Sequence, residues 1–254
     1  MNSKGYNCQH AVEILKDVSS VFVMTGAGVS AESGVPTFRG ADGLWKNYSV
    51  HDLATPAAFK KNPALVWDWY RWRQDIILKA QPNPAHYAIV ELENIYAHFL
   101  LLTQNVDNLH RRAGSRKVLE IHGNIFRARC TECGKEIQFV GADTSSGTLP
   151  ECDCGGLLRP DVVWFGETIP SRIWAEAVDY LSTAQAALFC GTSGVVWPAA
   201  AFPGMARELD IRTIEINLEP TPFSRIVDVS IMTKAGETLP QIVGALSAPA
   251  RRSG

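Results

Sequence analysis

Two hydrophobic rhythms alternate along this chain. Short unbroken apolar runs read as strands buried on both faces: Val21-Phe22-Val23, Phe99-Leu100-Leu101-Leu102 and Ala186-Ala187-Leu188-Phe189-Cys190. Residues 213–216 and 229–232 add two more. Around them the spacing turns helical: Ala11, Val12, Ile14, Leu15 and Val18 within residues 8–19, then 173–181, then Leu239, Ile242, Val243 and Leu246. Strands alternating with helices predict an α/β fold with a parallel sheet. Residues 118–126 alternate as a strand around His122, and 162–165 read as another. One long interruption, residues 41–88, has no strand pattern. It is rich in aromatics, and Pro56, Pro63, Pro82 and Pro84 divide it into short helices. Residues 247–254 read as a frayed tail.

Composition narrows the class. With 254 residues, 46% hydrophobic and 20% charged, the chain suits one large domain, or one plus a small module. A net charge of −2 gives no electrostatic footprint for nucleic acid. No apolar run is long enough to span a membrane, and the polar first residues lack a signal-peptide core, so a cytoplasmic setting is expected. Four of the six cysteines are clustered, which favours a metal over disulfides.

The candidate chemistry sits at strand ends. Gly26-Ala27-Gly28 follows the first strand and precedes Ser30 and Ala31, a relaxed form of the dinucleotide fingerprint. Alone it is either a phosphate cradle or a tight turn of any α/β protein. Ser33-Gly34-Val35-Pro36-Thr37-Phe38-Arg39 then reads as a loop folding over that turn. Gln104-Asn105-Val106-Asp107 ends the second long strand, where α/β sheets place ligands. Alone, Asn105 or Asp107 could equally be a helix cap. Gly191-Thr192-Ser193 makes a second small-residue turn, and Asn217-Leu218-Glu219 a third polar strand end. Cys130-Thr131-Glu132-Cys133 and Cys152-Asp153-Cys154 form two close thiol pairs, a structural zinc signature; the second is C-x-C and loses the usual knuckle turn. Tyr70 and Arg73 share a helix face three residues apart.

Taken together, GAGVS, SGVPTFR, TQNVDNLH, HGN and RPDVVWFGE resemble the sirtuins, NAD-dependent protein-lysine deacylases, over residues 11–246. Val66-Trp67-Asp68-Trp69-Tyr70-Arg71-Trp72-Arg73 resembles their class III, the desuccinylase type. The resemblance implies an α/β fold with a Rossmann-like, doubly wound parallel sheet: an NAD-binding domain over 1–126 and 159–254, a helical insertion near 41–90, and a zinc-binding module over 127–158. It assigns NAD to Gly26, Ala27, Gly28, Ser30, Pro36, Phe38, Arg39, Gln104, Asn105, Val106, Asp107, Gly191, Thr192, Ser193, Asn217, Leu218, Glu219 and Ala235. It makes His122 the general base and Cys130, Cys133, Cys152 and Cys154 the ligands of one structural zinc.

The same resemblance gives Ala54, Tyr70 and Arg73 to the acyl group, the last two holding the carboxylate of a succinyl- or malonyl-type lysine. Val163, Phe165 and Gly166 would bind an acyl-lysine peptide as an added β-strand, with residues 194–198 on the far wall. The implied reaction removes acidic acyl or acetyl groups and yields nicotinamide and O-acyl-ADP-ribose. The chain is expected to act as a monomer. Two other readings stay open on sequence: a mono-ADP-ribosyltransferase, and a zinc-ribbon module that binds NAD without chemistry.

Overall fold

A computed structural model describes residues 3–37, 48, 50–139 and 148–248. Its strands are β1 (Ser20–Thr25), β2 (His98–Thr103), β3 (Val118–Glu120), β4 (Gly123–Cys130), β5 (Glu136–Gln138), β6 (Leu158–Val162), β7 (Ala186–Cys190), β8 (Arg212–Asn217) and β9 (Val229–Met232). Its α-helices are α1 (Ser3–Lys16), α2 (Ala27–Ala31), α3 (Val50–Leu53), α4 (Pro56–Lys61), α5 (Pro63–Lys79), α6 (Pro84–Ile95), α7 (Leu109–Ala113), α8 (Ser171–Thr183), α9 (Phe202–Glu208) and α10 (Ala235–Ser247).

The main sheet has six parallel strands in the order β3-β2-β1-β7-β8-β9. Alternate residues of the unbroken apolar runs feed two separate cores, as the two-residue period requires. Val21, Val23, Leu101 and Leu188 pack against α1, α6 and α10. Phe22, Met24, Leu102 and Phe189 face the other way, against α8 and α9. The sheet is thus doubly wound, as the resemblance implies. The strand order reverses between β1 and β7, and such switch points are where open α/β sheets take ligands.

The helical stretch is punctuated by caps. Thr55, Asn62 and Asn83 each accept a backbone N–H with their side chains, and each is followed by a proline in the first turn: Pro56, Pro63 and Pro84. A second sheet, β5-β4-β6, is antiparallel. Its Ile125, Phe126, Ala128 and Leu158 share one core with Leu53, Phe59, Trp67 and Tyr70 of α3–α5. Helical stretch and small sheet are therefore one packed body beside the mouth of the main sheet.

Three expectations need correction. The first helix ends at Lys16, so Val18 packs on the core from a turn and not from within 8–19 as a helical residue. The strand expected over 118–126 is two strands of different sheets, β3 and β4, with Ile121 and His122 in the turn between them. Gly123 makes that turn at φ +82°, and a side chain there would collide with the Asp161 carbonyl. The strand expected over 162–165 is β6, ending at Val162. Pro160 hides it in the sequence, yet β6 is an edge strand, where a missing N–H is tolerated.

Candidate functional site

The two glycine turns meet at the switch point. Gly26 N–H donates to the Cys190 carbonyl (3.1 Å) and Gly28 N–H to the Gly191 carbonyl (2.9 Å). A Cβ on Gly26 or Gly28 would lie 2.8 Å from that Gly191 oxygen; one on Gly191 would lie 2.5 Å from the Val29 nitrogen. The glycines thus let two turns press together, backbone on backbone. Ala27, Gly28 and Ser193 stay partly open above the seam.

Polar side chains knit the strand ends. Ser30 donates to Asp107 (2.6 Å), and Asn105 Nδ2 donates to Ser30 (2.9 Å) and to the Gly26 carbonyl (3.0 Å). Asp107 also accepts the Leu109 N–H (2.9 Å), an Asx turn just ahead of α7; the N-cap position is Asn108, without a side-chain cap bond, so neither Asn105 nor Asp107 is the helix cap. Burial raises the Asp107 pKa against the pull of Ser30, Leu109 and Arg73. Gln104 Nε2 donates to Thr192 Oγ1 (2.8 Å), and Asn217 Nδ2 to the Thr192 carbonyl (2.6 Å). Ends of β1, β2, β7 and β8 thereby hold one another. Leu218 and Glu219 lie exposed beyond β8. Buried Ala235 opens α10, and the Gly236 N–H beside it donates to Glu32 (3.1 Å).

His122 sits at the junction of both sheets. Its Nδ1–H donates to the Gln104 carbonyl (3.1 Å), which leaves Nε2 unprotonated. Burial lowers its pKa below the usual 6.5, with the Gln104 bond opposing, so the neutral ring is the resting form at pH 7. The His122 carbonyl accepts the Val163 N–H, and two residues on, Phe165 N–H donates to the Ala54 carbonyl (both 2.9 Å). That short run ties the histidine to an aromatic wall built from Ala54, Phe59, Tyr70 and Trp164. Tyr70 and Arg73, a turn apart on α5, are both buried in it. Arg73 stands 5.4 Å over the Trp69 ring and lines a narrow cleft with Val35, Pro36 and Trp72. Gly166 closes the segment at φ +87°.

The four sulfurs of Cys130, Cys133, Cys152 and Cys154 lie within 4.8 Å of one another. Cys130–Cys154 and Cys133–Cys152 separate by 3.4 and 3.7 Å. A zinc with Zn–S bonds of about 2.3 Å spaces its thiolates by roughly 3.8 Å, so the set fits a closed tetrahedral site. Backbone N–H groups of Cys133 and Glu132 face the Cys130 sulfur (3.5 and 3.4 Å) and favour its thiolate. The turn missing from C-x-C is supplied after it: Gly155 N–H returns to the Cys152 carbonyl and Cys152 N–H reaches the Gly156 carbonyl (both 2.8 Å). A Cβ on Gly156 would stand 2.7 Å from the Cys130 sulfur. Gly156→Ala is expected to cost about 1–3 kcal/mol and to weaken zinc retention. Thermal unfolding with metal analysis checks this, and an unchanged Tm at full zinc would contradict it.

A model of the Sir2 family matches residues 26–198. NAD-dependent protein deacylase 2 of Pyrobaculum aerophilum is 52% identical, over 92% of this chain and 94% of its own. The chain belongs to the Sir2 family. A solved complex of a Sir2 homologue with NAD is 44% identical, with a TM-score of 0.88 over 94% of this chain and 93% of that one. A Sir2 protein bound to a myristoylated histone peptide is 38% identical, at 0.78 over 95% and 97%.

Within this Sir2 frame, the glycine cradle and the polar strand ends at the switch point fit a dinucleotide. Phe38 and Arg39 lie outside the described residues. Sequence reasoning missed Trp164, whose ring joins Tyr70, and the Arg159–Glu167 pair that holds it. It also missed the Thr103–Thr25–His110 chain, in which the Thr25 hydroxyl meets both partners (2.9 Å each). Arg159, Trp164 and Glu167 stand inside RPDVVWFGE, and Thr103 and His110 inside TQNVDNLH, but those strings do not say which side chains meet. Among the described residues, no helix is long and apolar enough to cross a membrane.

Proposed function

We propose that this protein is an NAD-dependent protein-lysine deacylase whose pocket favours acidic acyl groups, with acetyl as a poorer substrate. The observation that carries the acyl preference is the buried Tyr70/Arg73 pair, in an aromatic wall one short run from His122. Tyr70 and Arg73 stand a turn apart on one face of α5 and offer a phenol and a guanidinium side by side. A carboxylate in reach of both could take a hydrogen bond from each. Ala54 keeps the wall thin where an acyl chain would pass.

NAD supplies an activated sugar carbon from which nicotinamide can leave. The residues divide the work around it. Gly26, Ala27, Gly28 and Gly191–Ser193 would cradle the phosphates, with Pro36, Phe38 and Arg39 in the covering loop. Asn217, Leu218, Glu219 and Ala235 would take the adenosine end. Ser30, Gln104, Asn105, Val106 and Asp107 would set the nicotinamide and ribose end; Ser30 and Asp107 act by holding Asn105 in place. His122 Nε2 would receive a ribose hydroxyl proton. Val163, Phe165 and Gly166 would pair with the peptide backbone. The division into a domain over 1–126 and 159–254 and a zinc module over 127–158 belongs to the same reading.

Arg73→Met tests the acyl assignment. Succinyl-lysine turnover, as kcat/KM, is expected to fall about 30- to 1000-fold, the scale of a lost buried charge partner. Its ratio to acetyl-lysine turnover should fall with it. A variant that kept the wild-type succinyl-to-acetyl ratio would remove Arg73 from the acyl pocket.

A further inference from the structure

We propose that Trp164 is a positioning residue for acyl recognition: its indole N–H fixes the Tyr70 hydroxyl as a donor toward the carboxylate of an acidic acyl group. This rests on the acidic-acyl reading above. The Trp164–Tyr70 bond, 2.8 Å long, runs in one direction only. An indole N–H donates and cannot accept, so the phenolic oxygen accepts. Among the described residues that oxygen makes no second hydrogen bond, and its own proton is left to point at a ligand. Tyr70 is 4% exposed and Trp164 2%, so neither group is served by bulk water. Desolvation pushes the Tyr70 pKa up, so the phenol keeps its proton at any working pH. An O–H oriented in this way adds a donor that an acyl carboxylate can use and a neutral acyl end cannot.

Trp164 is held on every side for this task. The Arg159 guanidinium lies 3.4 Å from its ring centroid, and the Phe59 ring packs at 5.3 Å. Arg159 grips both oxygens of Glu167. Glu167 in turn accepts the Trp164 backbone N–H (2.9 Å). The clamp spans the short run between His122 and Ala54, so one element sets both the peptide wall and the Tyr70 proton.

The test compares succinyl- and acetyl-lysine forms of one peptide on wild type, Trp164→Phe, Tyr70→Phe and the double variant. Each single variant is expected to lower the succinyl-to-acetyl ratio of kcat/KM about five- to tenfold, through KM for the succinyl peptide. The double variant should lose no more than either single, because both remove the same oriented proton. An unchanged ratio in Trp164→Phe, or losses that multiply, would overturn the proposal while the acidic-acyl reading stood. A wild type with no succinyl preference would sink both. Should Trp164→Phe fail to fold, Glu167→Gln carries the same test: the indole is kept but unclamped. A two- to threefold drop in the ratio is expected there, and an unchanged ratio would overturn the proposal.

Discussion

Replacing His122 with alanine is expected to lower turnover about 10²- to 10⁴-fold while leaving the fold intact, the range for loss of a positioned general base. The geometry fixes which nitrogen would take the proton. Nδ1 spends its proton on the Gln104 carbonyl, so Nε2 carries the lone pair. Proton acceptance needs the neutral ring. Burial lowers the His122 pKa below 6.5, so the base form is complete at neutral pH and is lost only as pH falls through that lowered value. The acid limb of kcat/KM should therefore lie below pH 6.5 in wild type. A variant within tenfold of wild type would refute the assignment, and an acid limb above pH 6.5 would contradict the environment described. The backbone bond from Val163 to the His122 carbonyl survives the substitution, so the two sheets stay joined.

Stripping zinc with a strong chelator is expected to unfold the small sheet and abolish activity together. Closed thiolate sites contribute folding energy directly, about 10–16 kcal/mol of apparent binding in small zinc peptides. Here the metal would close the loop between β4 and β6, whose pairing runs from Cys130↔Leu158 to Gly123↔Val162. That ladder ends on either side of His122 and Val163. The sheet also shares its core with Trp67 and Tyr70. Damage at the cysteines should thus reach both the base and the acyl wall, although the zinc does no chemistry. One zinc per chain and a large fall in Tm on chelation are the expected results. Well under one atom per chain, or an unmoved Tm, would defeat this account.

Much of this was legible in the sequence, for identifiable physical reasons. Runs such as Phe99–Leu102 announce a sheet covered on both faces because no position is spared for water. Clustered thiols announce a metal because each ligand offers its own atom. Other features were not legible because they depend on who meets whom across the fold. The alternation through 118–126 crosses from one sheet into another without changing period, and only Gly123 marks the corner. Gly26 and Gly28 read as a ligand cradle, yet their tightest neighbour is the second glycine turn, Gly191, brought in by the strand order. In the sequence Trp164 is one residue of RPDVVWFGE and nothing more. Its meaning comes from the Tyr70 oxygen 94 residues away in sequence.

The measurement that bears most directly on the account is NAD-dependent acyl removal by the wild-type protein. Succinyl and acetyl forms of one lysine peptide would be compared side by side, with nicotinamide release followed in parallel. The account predicts nicotinamide release coupled to deacylation, with a succinyl preference of about tenfold or more in kcat/KM, some 1.4 kcal/mol of transition-state stabilisation. Equal or acetyl-favouring rates would contradict the acidic pocket. Transfer of ADP-ribose to protein without deacylation, or no nicotinamide release at all, would contradict the deacylase reading itself.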